Sequence, residues 1–317
     1  MIEISDLYKY YGKHRAIGPI DANIEEGEIV GLLGLNGAGK TTILRTLACD
    51  LLPSGGSVKV GGLDVVEQPH EVRKRIGYLP DTPPLYDDMS VREYLRYAAA
   101  LRGIPRTETA KRAEAAEDAT ALREAKDDPI SSLSHGYRQR VGIAQAIVHN
   151  PSLVILDEPI SGLDPVQIVE MRDLVRGLKG QHTVILSSHI LGEISETCDR
   201  ILMLGEGKII ASGTERELSE RFSGATQVRL TLKARDAEKA AKVLSDVRGV
   251  HEVVSVAAAE PGDDVRSFVV RCTEDLRAEL GSAVISAGFA LLELNRAESD
   301  LENIFIRLAG NQQQEAA

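Results

Sequence analysis

The stretch Gly34-Leu35-Asn36-Gly37-Ala38-Gly39-Lys40-Thr41-Thr42 has the residue types and spacing to hold a phosphorylated ligand. Its pattern, G-x-x-x-x-G-K-[ST], follows the apolar run Ile29-Val30-Gly31-Leu32-Leu33 and precedes Ile43-Leu44-Arg45-Thr46-Leu47, so it lies where a buried strand turns into a helix. Glycines let successive backbone N–H groups converge on an anion, and the N-terminus of the following helix adds partial positive charge. Lys40 supplies a mobile cation for outer phosphates, and the Thr41 hydroxyl can reach a Mg²⁺ ion. Further along, Leu153-Val154-Ile155-Leu156 reads as a fully buried strand that runs into Asp157-Glu158-Pro159. Adjacent carboxylates at the carboxyl end of such a strand sit where open α/β sheets bind ligands. A second buried strand, Thr183-Val184-Ile185-Leu186, ends in Ser187-Ser188-His189. Ser134 and Gly136 stand at the start of an amphipathic helix, where free N–H groups attract anions. Taken alone, that last segment is a helix cap with no chemistry.

Several elements must position these residues. The 317 residues exceed what one ordinary core serves, so two domains are expected. Apolar residues at 43% and charged residues at 27% are ordinary for a soluble globular protein. No apolar run is long enough to span a bilayer, and the first residues, Met1-Ile2-Glu3-Ile4-Ser5-Asp6, lack the basic and apolar regions of a secretion signal. Cys49, Cys198 and Cys272 are widely separated and read as small hydrophobes in a reducing cytosol, not as a disulfide or metal framework. A net charge of −11 argues against nucleic acid as the main partner.

Residues 1–30 are expected to form short strands punctuated by Gly12, Gly18-Pro19 and Gly27. Any of Tyr8, Tyr10 and Tyr11 could stack on a nucleotide base, although a strand tyrosine is more often packing. Val58-Lys59-Val60 reads as a strand, and so does Ile76-Gly77-Tyr78-Leu79. Pro80, Pro83 and Pro84 then force an extended loop that carries Asp81. Ser90-Val91-Arg92-Glu93 is a capping box opening a helix to about Arg102, and Thr107–Lys126 is expected to be a solvated helical region. Asp164-Pro165 starts another helix, and the segments 201–204 and 208–211 make a hairpin around Gly205-Glu206-Gly207. Composition shifts near Phe222-Ser223-Gly224. Beyond it, strand 227–233, helix 236–244, strand 252–256, a turn at Pro261-Gly262-Asp263-Asp264, strand 265–272, helix 274–286 and strand 290–294 give a β-α-β-β-α-β order, the split ferredoxin-like arrangement. A last helix, Leu301–Leu308, and a polar tail, Gln312–Ala317, close the chain.

In this order the motifs resemble the nucleotide-binding domain of ABC transporters over about residues 1–222. The phosphate loop looks like Walker A, and Leu133-Ser134-His135-Gly136-Tyr137-Arg138-Gln139 matches the signature LSxGxxQ. Leu153–Pro159 looks like Walker B with its following glutamate, Ser161-Gly162-Leu163-Asp164 matches the D-loop, and His189 falls at the switch histidine. The resemblance implies an α/β P-loop fold with a mixed sheet core, an antiparallel β subdomain and a helical subdomain at about 84–150. Its ATP site would comprise Gly34, Leu35, Asn36, Gly37, Ala38, Gly39, Lys40, Thr41 and Thr42, with Tyr11 where the family stacks an aromatic ring on adenine. Thr41 and Asp157 would hold Mg²⁺, Glu158 would serve as general base, and His189 would bond the γ-phosphate and orient Glu158. Ser134, His135, Gly136 and Gln139 would act in trans on a second copy of the chain or a paralogous ATPase subunit, with Asp164 in the D-loop. A separate transmembrane permease would hold the chain at the inner face of the membrane.

One position departs from the family pattern: Asp81 stands where a glutamine is usual, and Leu79-Pro80-Asp81 resembles the Leu-Pro-Glu of exporter-type ATPases. Asp81 is thus a possible further metal ligand. Residues 226–311 resemble, more loosely, the accessory domain of those ATPases, including the ending Leu301-Glu302-Asn303-Ile304-Phe305. An ABC ATPase that acts on DNA or ribosomes usually has two such domains or a long coiled coil. The gap of about a hundred residues between phosphate loop and signature is too short for a long arm at ~1.5 Å per residue. A binding module without turnover would not need both Glu158 and His189.

Overall fold

A computed structural model describes residues 1–223, 226–234, 236–256 and 264–296. They divide into two compact units at Glu215 and Arg216.

In the first unit, β1 (Ile2–Tyr11) and β2 (His14–Ile24) form one long antiparallel pair instead of several short strands. Register shifts at Ile4/Leu7, Leu7/Lys9 and Lys9/Tyr10 carry the pair past Gly18-Pro19, while Gly12 sits in the turn between the strands and Gly27 in a turn beyond β2. β3 (Ile29–Gly34) leads through the glycine loop to α1 (Lys40–Leu47). β4 (Gly55–Val60) and the short β5 (Leu63–Asp64) complete an antiparallel sheet of order β2-β1-β4-β5. Next come α2 (Pro69–Arg75), β6 (Ile76–Leu79) and α3 (Val91–Leu101). The Ser90–Glu93 capping box is formed in full: the Ser90 hydroxyl accepts from Glu93 N–H, and the Glu93 carboxylate accepts from Ser90 N–H. α4 (Arg106–Ala119) ends well before Lys126, because Leu122–Asp128 runs as successive turns. α5 (His135–Ile147) precedes β7 (Leu153–Leu156), α6 (Pro165–Gly177), β8 (Thr183–Ser188), α7 (Leu191–Ser195) and the hairpin β9 (Arg200–Gly205) and β10 (Lys208–Gly213).

The central sheet has the order β10-β9-β3-β8-β7-β6, parallel throughout except for the antiparallel β9–β10 edge. Every residue of β3, β7 and β8 is buried, as expected for parallel strands covered on both faces. This arrangement aligns the carboxyl ends of β3, β7 and β8, so Gly34, Leu156 and Ser188 deliver their following residues to one edge.

α8 (Glu215–Ser223) falls almost wholly in the second unit, so the division lies before the Phe222 boundary read from composition; a helix that continues the chain carries no compositional break. β11 (Thr226–Lys233), α9 (Ala237–Ser245), β12 (Val250–Val256), β13 (Val265–Cys272), α10 (Arg277–Ser286) and β14 (Ala290–Arg296) follow. The sheet order β12-β13-β11-β14, antiparallel throughout, is the ferredoxin-like topology. Its core includes Leu230, Phe268, Val270, Leu244 and Leu280, contributed by strands and both helices. The expected helix 301–308, the Leu301–Phe305 ending, the tail 312–317 and most of the turn at 261–264 lie outside the described residues.

Candidate functional site

The glycine loop is closed by its own backbone: Ala38 N–H donates to Leu35 O at 3.1 Å. Gly39 sits at φ +102°, and a Cβ there would lie 2.3 Å from Ile17, so both backbone conformation and the approach of β2 require glycine. Lys40 is buried and folds back over the loop, its Nζ donating to Gly34 O at 2.7 Å and Leu35 O at 3.4 Å. The same ammonium lies 3.2 Å from Glu158 Oε1.

Asp157 and Glu158 leave the end of β7 in opposite environments. Asp157 is 1% exposed. Its Oδ1 accepts from Ser187 Oγ at 2.7 Å, the Thr41 side chain also hydrogen-bonds it, and its Oδ2 is buried without a partner. Burial pushes this carboxyl above the usual range; the Ser187 and Thr41 hydrogen bonds pull it back, and the nearby Glu158 and Asp81 carboxylates push it up again. An orphaned carboxylate oxygen beside a threonine hydroxyl, in a field of three carboxylates, is a donor set that fits a hard divalent cation. Glu158 adopts φ +48°, which swings its side chain off the strand direction. Its N–H donates to Ser187 Oγ at 2.8 Å, and its Oε2 accepts from His189 Nδ1 at 3.0 Å. A carboxylate oxygen only accepts, so Nδ1 carries the hydrogen of that pair.

Asn36, Gly37, Gly39, Lys40, Thr41 and Thr42 line a cleft of about 410 Å³ with Asp81, Glu158 and His189. The structure therefore brings Lys40, Thr41, Glu158, His189 and Asp81 to one place, with Asp157 against Thr41. Ser161, the first residue of the D-loop match, also lines it; sequence reasoning missed His14 and Ala16 of β2, which line it as well, and Ser187, which holds both acidic residues. His14 and Ala16 carry no motif and arrive only because β2 passes the loop; Ser187 was signalled by its place at the end of a buried strand.

Tyr11 is half exposed and does not line the cleft; it pairs with His14 across the β1–β2 turn and has Lys9 Nζ 5.4 Å from its ring centroid. Ser134, His135, Gly136 and Gln139 also lie outside the cleft lining. Ser134 caps α5, its Oγ accepting from Tyr137 N–H. His135 Nε2 lies 3.1 Å from Ser161 O. Gly136 leaves room for Gln167, which an added Cβ would meet at 2.8 Å. Gln139 is 3% exposed and its Oε1 has no partner. Asp164 caps α6, its Oδ1 accepting from Val166 N–H at 3.0 Å and Gln167 N–H at 2.9 Å. A second cleft, of about 770 Å³, shares Thr41 and Asp81 with the phosphate cleft, is lined also by Asp157, and extends to Arg45, Arg73 and Arg102.

A parallel-stranded core, a phosphate loop between β3 and α1, and an acidic pair at the end of β7 define a P-loop nucleoside triphosphatase. The family model described as ABC transporter matches residues 17–161. The ABC transporter ATP-binding protein NatA of Bacillus subtilis (strain 168) is 40% identical over 208 residues, 65% of this chain and 85% of that protein. The daunorubicin/doxorubicin resistance ATP-binding protein DrrA of Streptomyces peucetius is 34% identical over 315 residues, 98% of this chain and 92% of that one. A bacterial ABC transporter cassette solved as a dimer is 25% identical with a TM-score of 0.62, covering 68% of this chain and 98% of the other. The chain belongs to the ABC transporter ATP-binding family, and it is an ATP-binding, ATP-hydrolysing subunit of that type.

Proposed function

We propose that Mg²⁺–ATP is hydrolysed between the phosphate loop of one copy and the signature segment of a second, and that the resulting opening and closing drives a separate membrane permease. The observation that carries the catalytic part is the Lys40–Glu158–His189 chain, with its 3.2 and 3.0 Å contacts, beside the orphaned Oδ2 of Asp157. Thr41 and Asp157 would hold a divalent cation, whose charge would offset that of the phosphate oxygens. The loop N–H groups and Lys40 bind the phosphates. Lys40 leaves Glu158 for them, and Glu158 then takes a proton from the attacking water as the bond to ADP breaks, giving ADP and phosphate. His189 holds Glu158 in line. Asp81 lines the same cleft and would offer a carboxylate to a cation held there, with no donor for the phosphate.

The signature residues Ser134, His135, Gly136 and Gln139 do not line their own phosphate cleft, which supports their use by a second copy or a paralogous subunit. Among the described residues no helix is long and apolar enough to cross a membrane, which supports a separate permease partner and a place at the inner membrane face. The similarity over nearly the whole chain to DrrA, a daunorubicin/doxorubicin resistance protein, supports a role in resistance to a small toxic compound, for which export is the direction that protects the cell. Replacing Glu158 by Gln should lower steady-state ATP turnover by about 10²-fold or more while ATP binding and ATP-dependent dimers persist. Undiminished turnover would remove Glu158 as the base.

A further inference from the structure

Two consecutive serines end β8, and their side chains leave the strand on opposite faces. Ser187 Oγ bridges Asp157 and the peptide N–H of Glu158. Ser188 makes a matching bridge on the other side. Its Oγ donates to Glu193 Oε2 at 2.5 Å and accepts from Ile190 N–H at 3.0 Å. These bonds use its single hydrogen and one lone pair. Ser188 is 2% exposed and Glu193 7%, whereas His189 between them and the cleft is 40% exposed.

A buried carboxylate is expensive unless it is hydrogen-bonded. Position 193 is buried, as are its neighbours Leu191 and Ile194. What the carboxylate adds is an acceptor that fixes the Ser188 hydroxyl. That hydroxyl in turn closes the peptide from Ser188 to Ile190 into a turn with His189 at its apex. Glu158, whose Oε2 lies 3.0 Å from His189 Nδ1, has its peptide N–H held by Ser187, so the backbones on both sides of the Glu158–His189 contact are anchored on neighbouring residues of one strand.

We propose that Ser188 and Glu193 are positioning residues for His189, setting its ring against Glu158 through the Ser188 hydroxyl. The proposal rests on the reading of His189 and Glu158 as the working pair. In Ser188→Ala and Glu193→Leu, kcat for ATP should fall about ten- to hundredfold, while KM and ADP affinity stay at wild-type values, since misplacing a reacting group by about an ångström has that effect. Ser188→Thr keeps the hydroxyl and Glu193→Gln keeps an acceptor, so both should retain most of kcat. Glu193→Leu leaves no charge in the core, and so remains informative if Ser188→Ala fails to fold.

Imidazole ¹⁵N spectra of the full chain, assigned by difference from His189→Ala, add a readout independent of turnover. His189 should show the Nδ1–H form in wild type and drift toward the ordinary mixture of tautomers in Ser188→Ala and Glu193→Leu. An unchanged tautomer overturns the proposal, as does a loss of kcat matched by an equal loss of ADP affinity. If His189→Ala keeps full turnover, the role given to His189 fails instead, and the tautomer measurement still decides whether Ser188 and Glu193 hold the ring.

Discussion

Lys40 has one flexible stem and several acceptors. It donates to the Gly34 and Leu35 carbonyls and pairs with Glu158 while nine-tenths buried, so its charge is already drawn into the loop's concavity. Removing it leaves Glu158 as a largely buried carboxylate facing the phosphate site with one partner fewer, which repels an anion as well as failing to bind it. Lys40→Ala should therefore lose ATP affinity by at least about tenfold in equilibrium titration, in line with a lost charge-assisted contact. Affinity within error of wild type would show that the loop has been misread. The phosphate-loop residues, Asp157, Glu158 and His189 were all legible from motif and context. Ser187 and Ser188 were visible only as residues before His189. Their roles come from a strand that places one hydroxyl against β7 and the other against α7, and that depends on parallel pairing of segments far apart in the chain.

Elements explain why the site edge is rigid. β6 is tied to the residue after α5: His149 Nε2 donates to Ile76 O at 3.0 Å, and its Nδ1 is buried without a partner. Burial, helped by the Arg102 charge, lowers the imidazole from 6.5 to about 4. Between these values the unfolded chain holds a proton that the folded chain refuses, so stability is intact above pH 6.5 and declines as pH falls toward 4. At pH 5 this single group accounts for about 2 kcal/mol of lost stability, from 1.36 kcal/mol per pH unit. Urea unfolding at pH 7 and pH 5 should show His149→Gln losing about 2 kcal/mol less than wild type over that interval; equal losses would mean that the imidazole is charged in the fold. The Ser90 capping box and the Asp164-Pro165 start were readable because helix ends are local chemistry. The length of the β1–β2 pair was not, because register shifts let a strand continue through residues that locally signal a break.

For the whole molecule, every residue lining the phosphate cleft lies before Glu215. The second unit has a core of its own, built by alternating positions of β11 and β13 against α9 and α10. Removing residues 216–317 should therefore leave ATP affinity within error of the full chain, measured by titration calorimetry on a folded 1–215 fragment. A fragment that folds but no longer binds would place part of the nucleotide site in the second unit.

By itself the sequence determined the chemistry: a glycine loop with lysine, an acidic pair at the end of an apolar strand, a histidine after another, and the family they specify. It did so because each is a contiguous pattern whose function depends on spacing along the chain. The tertiary structure alone decided which pieces share a space. It brought β2 to the phosphate loop with His14 and Ala16, joined His135 to Ser161, left Tyr11 outside the cleft lining and left one oxygen of Asp157 unpaired. These outcomes follow from strand order and from the close approach of segments some tens of residues apart, such as His135 and Ser161, which no local pattern encodes.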